Sequence, residues 1–296
     1  MAIIFLFIDG VGLGEEGRNN PFTRQQYAGF EAMCRGQSFS GRAENVAENY
    51  HLFKGIDATL GIEGLPQSGT GQATLFTGEN AAKIVGRHFG PFPHSKTKPG
   101  LRNRSIFKRA TELGKSCVFM NAYPDIFFDR SEKRNRWSCT TLMTKSAGIR
   151  LHTERDLKEG SAITAEITQE AWREQLGIEV PKIEPAEAGQ RMLDAAVNND
   201  LVLYEYYLTD KAGHARSHAK AEDVLHRFDL FLQYLIQNRR ERDTILLSSD
   251  HGNVEDLSTK THTFNQVPLF VKGPVAEAFE QVDSIQDITP TALKVL

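Results

Sequence analysis

The sequence predicts an α/β protein, a three-layer α/β/α sandwich around a mostly parallel sheet. Three observations predict it. Short apolar runs without helical period, above all Ile3–Ile8 and residues 244–247, read as strands buried on both faces. Amphipathic helices alternate with them. Residues 187–197 form one, and 221–238 form another, with Val224, Leu225, Phe228, Phe231, Leu232 and Leu235 at helical spacing. The strands then hand over to carboxylates and imidazoles, and open α/β sheets bind ligands beyond the carboxyl ends of their strands.

The 296 residues suit one catalytic domain over 1–296, with room for a modest insertion. A hydrophobic content of 40% and a charged content of 25% are those of a soluble globular chain. The formal net charge of -3 excludes an obvious nucleic-acid or anionic-membrane partner. Cys34, Cys117 and Cys139 are scattered and odd in number. They make neither a disulfide framework nor a zinc cluster, and they suit a reducing cytoplasm. The apolar start lacks a basic region and a cleavage site, so it is not read as a signal peptide. No apolar run is long enough to span a bilayer.

Taken in order, strand Ile3–Ile8 delivers Asp9 into Gly10-Val11-Gly12-Leu13-Gly14. A dinucleotide fingerprint spaces its glycines differently and has no acid before them, so Asp9 reads as a metal carboxylate. Residues 15–60 are mixed, with a loop at Asn19-Asn20-Pro21. In 65–78, Gly and Pro crowd Ser68 and Thr70 before a helical segment. A hydroxyl there faces free N–H groups and the positive end of the helix dipole, a place that binds phosphate oxygens and stabilises an alkoxide. The same pattern is also that of an ordinary N-cap serine. Residues 83–109 are basic and rich in Gly and Pro, and they suit a substrate-facing loop or an ordinary solvated one. Residues 116–120 read as a further strand.

Residues 122–185 are polar and irregular, and are expected to form a small lid or insertion over the sheet end. The strand over 201–207 runs into Asp210 and His214, four apart and therefore on one face of a helical turn. That spacing suits two ligands of one divalent ion. Strand 244–247 ends in Ser248-Ser249-Asp250-His251-Gly252-Asn253-Val254-Glu255. His262 precedes another buried strand, and a capped helix starts near Asp287.

Together these motifs resemble the alkaline phosphatase superfamily, and within it the cofactor-independent phosphoglycerate mutases and phosphopentomutases. The residues that carry the resemblance lie in 1–80 and 200–296: Asp9 with its glycine loop, Ser68-Gly69-Thr70-Gly71-Gln72, Asp210-x-x-Gly213-His214, 249–255, and His262-Thr263-x-Asn265-x-Val267-Pro268. The resemblance implies two divalent ions, Mn2+ or Zn2+. Asp9, Asp250, His251 and the Ser68 hydroxyl would hold one, and Asp210, His214 and His262 the other. It implies Ser68 as nucleophile and a phosphoserine intermediate. Thr70, Gln72, Arg87 and His88 are expected to contact substrate, and Thr70 could also cap the helix.

Two departures from the pattern matter. Gln72 replaces the family's histidine, and only 141 residues separate Ser68 from Asp210, too few for the mutases' large cap domain. The small lid favours a phosphatase or phosphodiesterase acting on a small-molecule phosphate ester. A phosphomutase or phosphotransferase on a phosphosugar or phosphoglycerate-like substrate is the alternative, and a non-catalytic metal- or phosphate-binding protein is a third.

Overall fold

The computed structural model describes residues 1–296. Its centre is β1 (Ile3–Ile8), whose six residues are all buried. Around it stand β2 (Val46–Glu48), β3 (His51–Ile56), β4 (Cys117–Phe119), β5 (Leu201–Tyr206), β6 (Thr244–Ser248) and β7 (Val267–Lys272), in the order β2-β3-β7-β6-β1-β5-β4. β6, β1, β5 and β4 are mutually parallel. β7, β3 and β2 continue the sheet through antiparallel pairings. Because β7 runs against β6, the loop joining them stays at the carboxyl end of β1, and His262 returns to the place where Asp250 lies. β2 and β3 fall in the stretch whose sequence has no clear period.

Side chains leave a strand alternately to its two faces. On β1, Ile4, Leu6 and Ile8 enter a core with Phe228, Phe231 and Leu235 of helix His218–Asn238 and Met192 of helix Pro185–Asn198. Ile3, Phe5 and Phe7 enter another, with Phe76 of helix Ser68–Thr77, Phe107, Met143 and Ile288. These are the outer layers of the three-layer sandwich. Phe76 meets Phe7 edge-on, ring centroids 5.2 Å apart, and so seats helix Ser68–Thr77 against β1. Truncating such a buried ring costs about 3–5 kcal/mol.

Residues 122–185 form four short helices, Asp125–Arg134, Cys139–Ser146, Glu154–Lys158 and Glu170–Leu176. Ala122, Leu157, Ala162, Trp172 and Val180 make a small cluster of their own. Cys139, Leu142 and Met143 join one main core, while Ile163, Ile167 and Ile183 join the other. No helix of the chain is long and apolar enough to cross a membrane.

Candidate metal centre and nucleophile

Four stretches of backbone bring polar side chains to one end of the sheet. β1 delivers Asp9, and β6 delivers Asp250 and His251. Helix Leu208–Ala215, directly after β5, presents Asp210 and His214 one turn apart. The return loop before β7 carries His262. Helix Ser68–Thr77 begins at the same place: Gln67 takes an extended conformation, and Ser68 is the first helical residue.

His251 is the hub. Its Nε2 lies 2.9 Å from Ser68 Oγ, 3.5 Å from Asp9 Oδ1 and 3.5 Å from Asp250 Oδ2. Its ring stacks on His262, with centroids 3.8 Å apart. His262 Nε2 stands 3.5 Å from Asp210 Oδ1 and 3.2 Å from His214 Nε2. His214 Nε2 is in turn 3.4 Å from Asp210 Oδ2. Two overlapping donor groups result, Asp9–Asp250–His251 and Asp210–His251–His262.

The residues fit divalent ions on two counts. Asp9 Oδ1 and Asp250 Oδ2 are buried without a hydrogen-bond partner. An orphaned buried carboxylate oxygen is costly unless a cation meets it. The imidazoles share one orientation. Nδ1 of His214 faces Lys260 O at 2.9 Å, Nδ1 of His251 faces Gly252 O at 3.4 Å, and Nδ1 of His262 faces Pro66 O at 2.6 Å. A ring nitrogen facing a carbonyl carries the proton of a neutral imidazole, so each ring in its neutral form turns the Nε2 lone pair to the centre.

The electrostatics follow from burial. Burial, and then the charge of Asp250, push the Asp9 carboxyl well above the usual range. Burial, and then Asp210, raise Asp250 to about 7. Burial lowers His251, and burial followed by His251 lowers His262 to about 4. At Asp210 burial also opposes the charge, but the hydrogen bonds from His214 and Asn253 and the neighbouring imidazoles outweigh it and hold the carboxyl low. The same bond to Asp210 raises His214 to about 9. Closely packed carboxylates that cannot all ionise are an arrangement a bound cation relieves.

Other side chains hold the ligands. Gln72 Nε2 donates to Asp9 Oδ2 at 3.0 Å, and Asn253 Nδ2 donates to Asp210 Oδ1 at 2.6 Å. The Glu255 carboxylate accepts from the backbone N–H of Gly12 at 2.9 Å and of Asn253 at 2.7 Å, from the Thr263 hydroxyl, and from Asn265 Nδ2 at 3.0 Å. It thereby ties together the loops that carry Asp9, His251 and His262. Gly252 allows this approach, because a Cβ there would lie 2.2 Å from Glu255 Oε1 and from Thr263 Oγ1. Gly10 has φ +68, and a Cβ on it would lie 2.8 Å from the Asp210 side chain. The clasp roles of Glu255 and Asn253 are absent from the sequence reading. The available signal was polar residues interleaved with glycine in one short motif.

Of the residues expected to contact substrate, three have other partners. Gln72 grips Asp9, as above. Thr70 is the third residue of its helix and not its cap: its Oγ1 donates to Gln67 O at 3.1 Å and accepts from Phe89 N–H at 3.2 Å. His88 directs Nε2 at the carbonyls of Thr59 and Ile62, 3.1 and 3.2 Å away, and so anchors a loop. The loop after Gly86 folds back on the helix start at Thr70, and through His88 it also reaches the segment around Thr59 and Ile62. Arg87 is exposed. Beside Ser68, Cys139 Sγ lies 3.7 Å from Gly69 O. Thr140 Oγ1 donates to Glu205 Oε2 at 2.8 Å. Burial raises the Glu205 carboxyl to about 7.

Comparison with known proteins agrees with this geometry. Residues 169–296 match the Metalloenzyme superfamily. A stretch of 126 residues is 29% identical to the 2,3-bisphosphoglycerate-independent phosphoglycerate mutase of Desulforudis audaxviator (strain MP104C), covering 38% of this chain and 25% of the mutase. The match thus spans about a quarter of that relative's length. The fold is similar to the cold-active alkaline phosphatase of Shewanella sp. (TM-score 0.56, 13% identity, 100% of each chain). It is also similar to the alkaline phosphatase of the Antarctic bacterium TAB5 (TM-score 0.53, 12% identity, 99% of this chain and 97% of that one). Residues 169–296, which hold Asp210, His214, Asp250, His251 and His262, carry the metalloenzyme match, and the fold is similar to that of the alkaline phosphatases.

Proposed function

We propose that the protein is a two-metal phosphoryl-transfer enzyme that hydrolyses a small-molecule phosphate ester, monoester or diester, through a phosphoserine at Ser68. One observation carries the reading. The Ser68 hydroxyl opens a buried helix and lies 2.9 Å from His251 Nε2, the imidazole common to both donor groups. Asp9, Asp250, His251 and the Ser68 hydroxyl would hold one divalent ion, and Asp210, His214 and His262 the other, with Mn2+ or Zn2+ suiting the nitrogen and carboxylate donors. Such a pair, when bound, supplies Lewis-acid activation and neutralises charge on the transferring group. The chain does the rest. Packing of Phe76 on Phe7 holds Ser68 in place. The N–H groups of Ser68 and Gly69 open its helix and can donate to phosphoryl oxygens, while that of Thr70 is held by Phe89 O at 2.9 Å. Asp9, Asp250 and Ser68 are all buried, so the surroundings of the hydroxyl lie largely out of bulk water.

The segment 122–185 is proposed as a small lid, supported by the contact of Cys139 with Gly69. A lid of that size favours release of the phosphoryl group to water. The test is turnover of p-nitrophenyl phosphate and of a bis-ester after loading with Mn2+ or Zn2+, with acid quench and mapping of the phosphopeptide. Phosphate on any residue other than Ser68 sinks the assignment. The identity with a mutase favours a second reading, phosphoryl transfer between hydroxyls. Incubation with phosphoglycerate and phosphopentose isomers, without release of free phosphate, would mark it. Metal binding with no turnover in any arm would leave a binding protein.

A further inference from the structure

We propose that the site accepts a phosphate ester whose leaving group carries a second anionic group, and that Arg136 reads that group; the inference rests on the reading of Ser68 as nucleophile. Between Asn80 and Thr111 the sequence holds eight Lys or Arg and no Asp or Glu, in a chain of net charge -3. Two of the eight, Arg104 and Lys108, have acid partners, Glu79 and Glu112. The loop in this segment folds directly onto the nucleophile turn. A Cβ on Gly69 would lie 2.3 Å from Phe92 O and 2.7 Å from Phe89 O, and one on Gly90 would lie 3.3 Å from Ser68 N.

Arg136 reaches this loop from the other side. Its guanidinium carbon sits 3.8 Å above the centre of the Phe92 ring. Three residues on, Cys139 touches Gly69. A three-residue span covers at most ~11 Å, so the Arg136 backbone stands within that reach of the residue that touches Gly69, next to Ser68. Arg136 is exposed and forms no ion pair or side-chain hydrogen bond within the chain. Stacking on an aromatic face orients a guanidinium without using its in-plane N–H groups. Those groups stay free for a carboxylate or phosphate, which arginine binds bidentately.

The measurement compares a hexose monophosphate with the matching hexose bisphosphate, and p-nitrophenyl phosphate serves as a reference with an uncharged leaving group. In the metal-loaded wild type, kcat/KM is expected to be at least about tenfold higher for the bisphosphate, and the margin is expected to shrink as salt rises. In Arg136→Ala that preference falls about 10–100-fold, mainly through KM, as one charge-assisted contact requires. Arg136→Lys restores part of it. Equal losses on all three substrates, or no preference in the wild type, overturn the proposal. If no ester is turned over, the reading of Ser68 fails on its own. Calorimetric binding of the same two sugars to metal-loaded protein then decides the subsite: a bisphosphate preference lost in Arg136→Ala supports it, and equal affinities overturn it.

Discussion

The two donor groups share an imidazole but not an environment. Asp9, Asp250 and His251 lie at 6%, 0% and 0% exposure, at the ends of the two central strands. On the other side, the His214 side chain is 46% exposed and that of Asp210 17%, on a short helix beyond β5. The inner group is desolvated, so its carboxyls are forced up and two of their oxygens lack partners. The outer group satisfies itself, because His214 and Asp210 already pair. The inner group would therefore gain more from a bound ion than the outer one, whose members already pair. That difference suits an inner ion held for the nucleophile and an outer one open to water and leaving group.

The sharpest break of this comparison is at the nucleophile. Ser68→Ala is expected to lower turnover by at least about 10³-fold while leaving metal content largely intact, checked by kinetics and elemental analysis in parallel. Full activity in that variant refutes the assignment of the inner group to the nucleophile. Next come the ligands themselves. Asp250→Asn should lose most bound metal, while His214→Ala should retain the inner ion and lose mainly the outer. If the two variants lose equal amounts, the distinction drawn from burial is wrong.

Metal removal sharpens it through pH. From the ordinary imidazole value of 6.5 up to about 9, His214 in the folded, metal-free chain holds a proton that the unfolded chain has released. Asp250 and Glu205, raised to about 7, do the same at the lower edge of that window. His251 and His262 are lowered, so above 6.5 they are neutral in both states. The folded state thus binds more protons, and stability of the chelated protein must fall as pH rises from about 6.5 to 9. Ligands that hold metal are already deprotonated, so loaded protein should lack this decline. Thermal melts with and without chelator decide it, and a flat chelated profile counts against the paired His214. The smallest effect belongs to Thr70→Ala, about 1 kcal/mol of stability for a loop contact and little change in chemistry. A loss of turnover as large as that of Ser68→Ala would move the nucleophile.

Much of this was legible because it is local. A run such as Ile3–Ile8 specifies a buried strand by composition, and a carboxylate at its end is a matter of position. The i, i+4 spacing of Asp210 and His214 needs only helical geometry. The preference for Ser68 over Thr70 as the proposed nucleophile comes from the resemblance, in which the nucleophile stands three residues before its glycine, as Ser68 does before Gly71. What was not legible depends on contacts distant in sequence. Thr70 and His88 are polar residues in a Gly-rich stretch, indistinguishable there from substrate ligands. Only the fold assigns their partners, Phe89 N–H to Thr70 and the carbonyls of Thr59 and Ile62 to His88. Glu255 acts through Gly12 and Thr263, and nothing in its own neighbourhood announces the former. By itself the sequence determined the sandwich class, the strand ends that carry the ligands, and the chemical types gathered there, since periodicity and side-chain chemistry are properties of short stretches. The tertiary structure decided that β7 turns antiparallel to return His262, that His251 stands between both donor groups, and that Arg136 lies on Phe92, because those depend on which distant surfaces pack together.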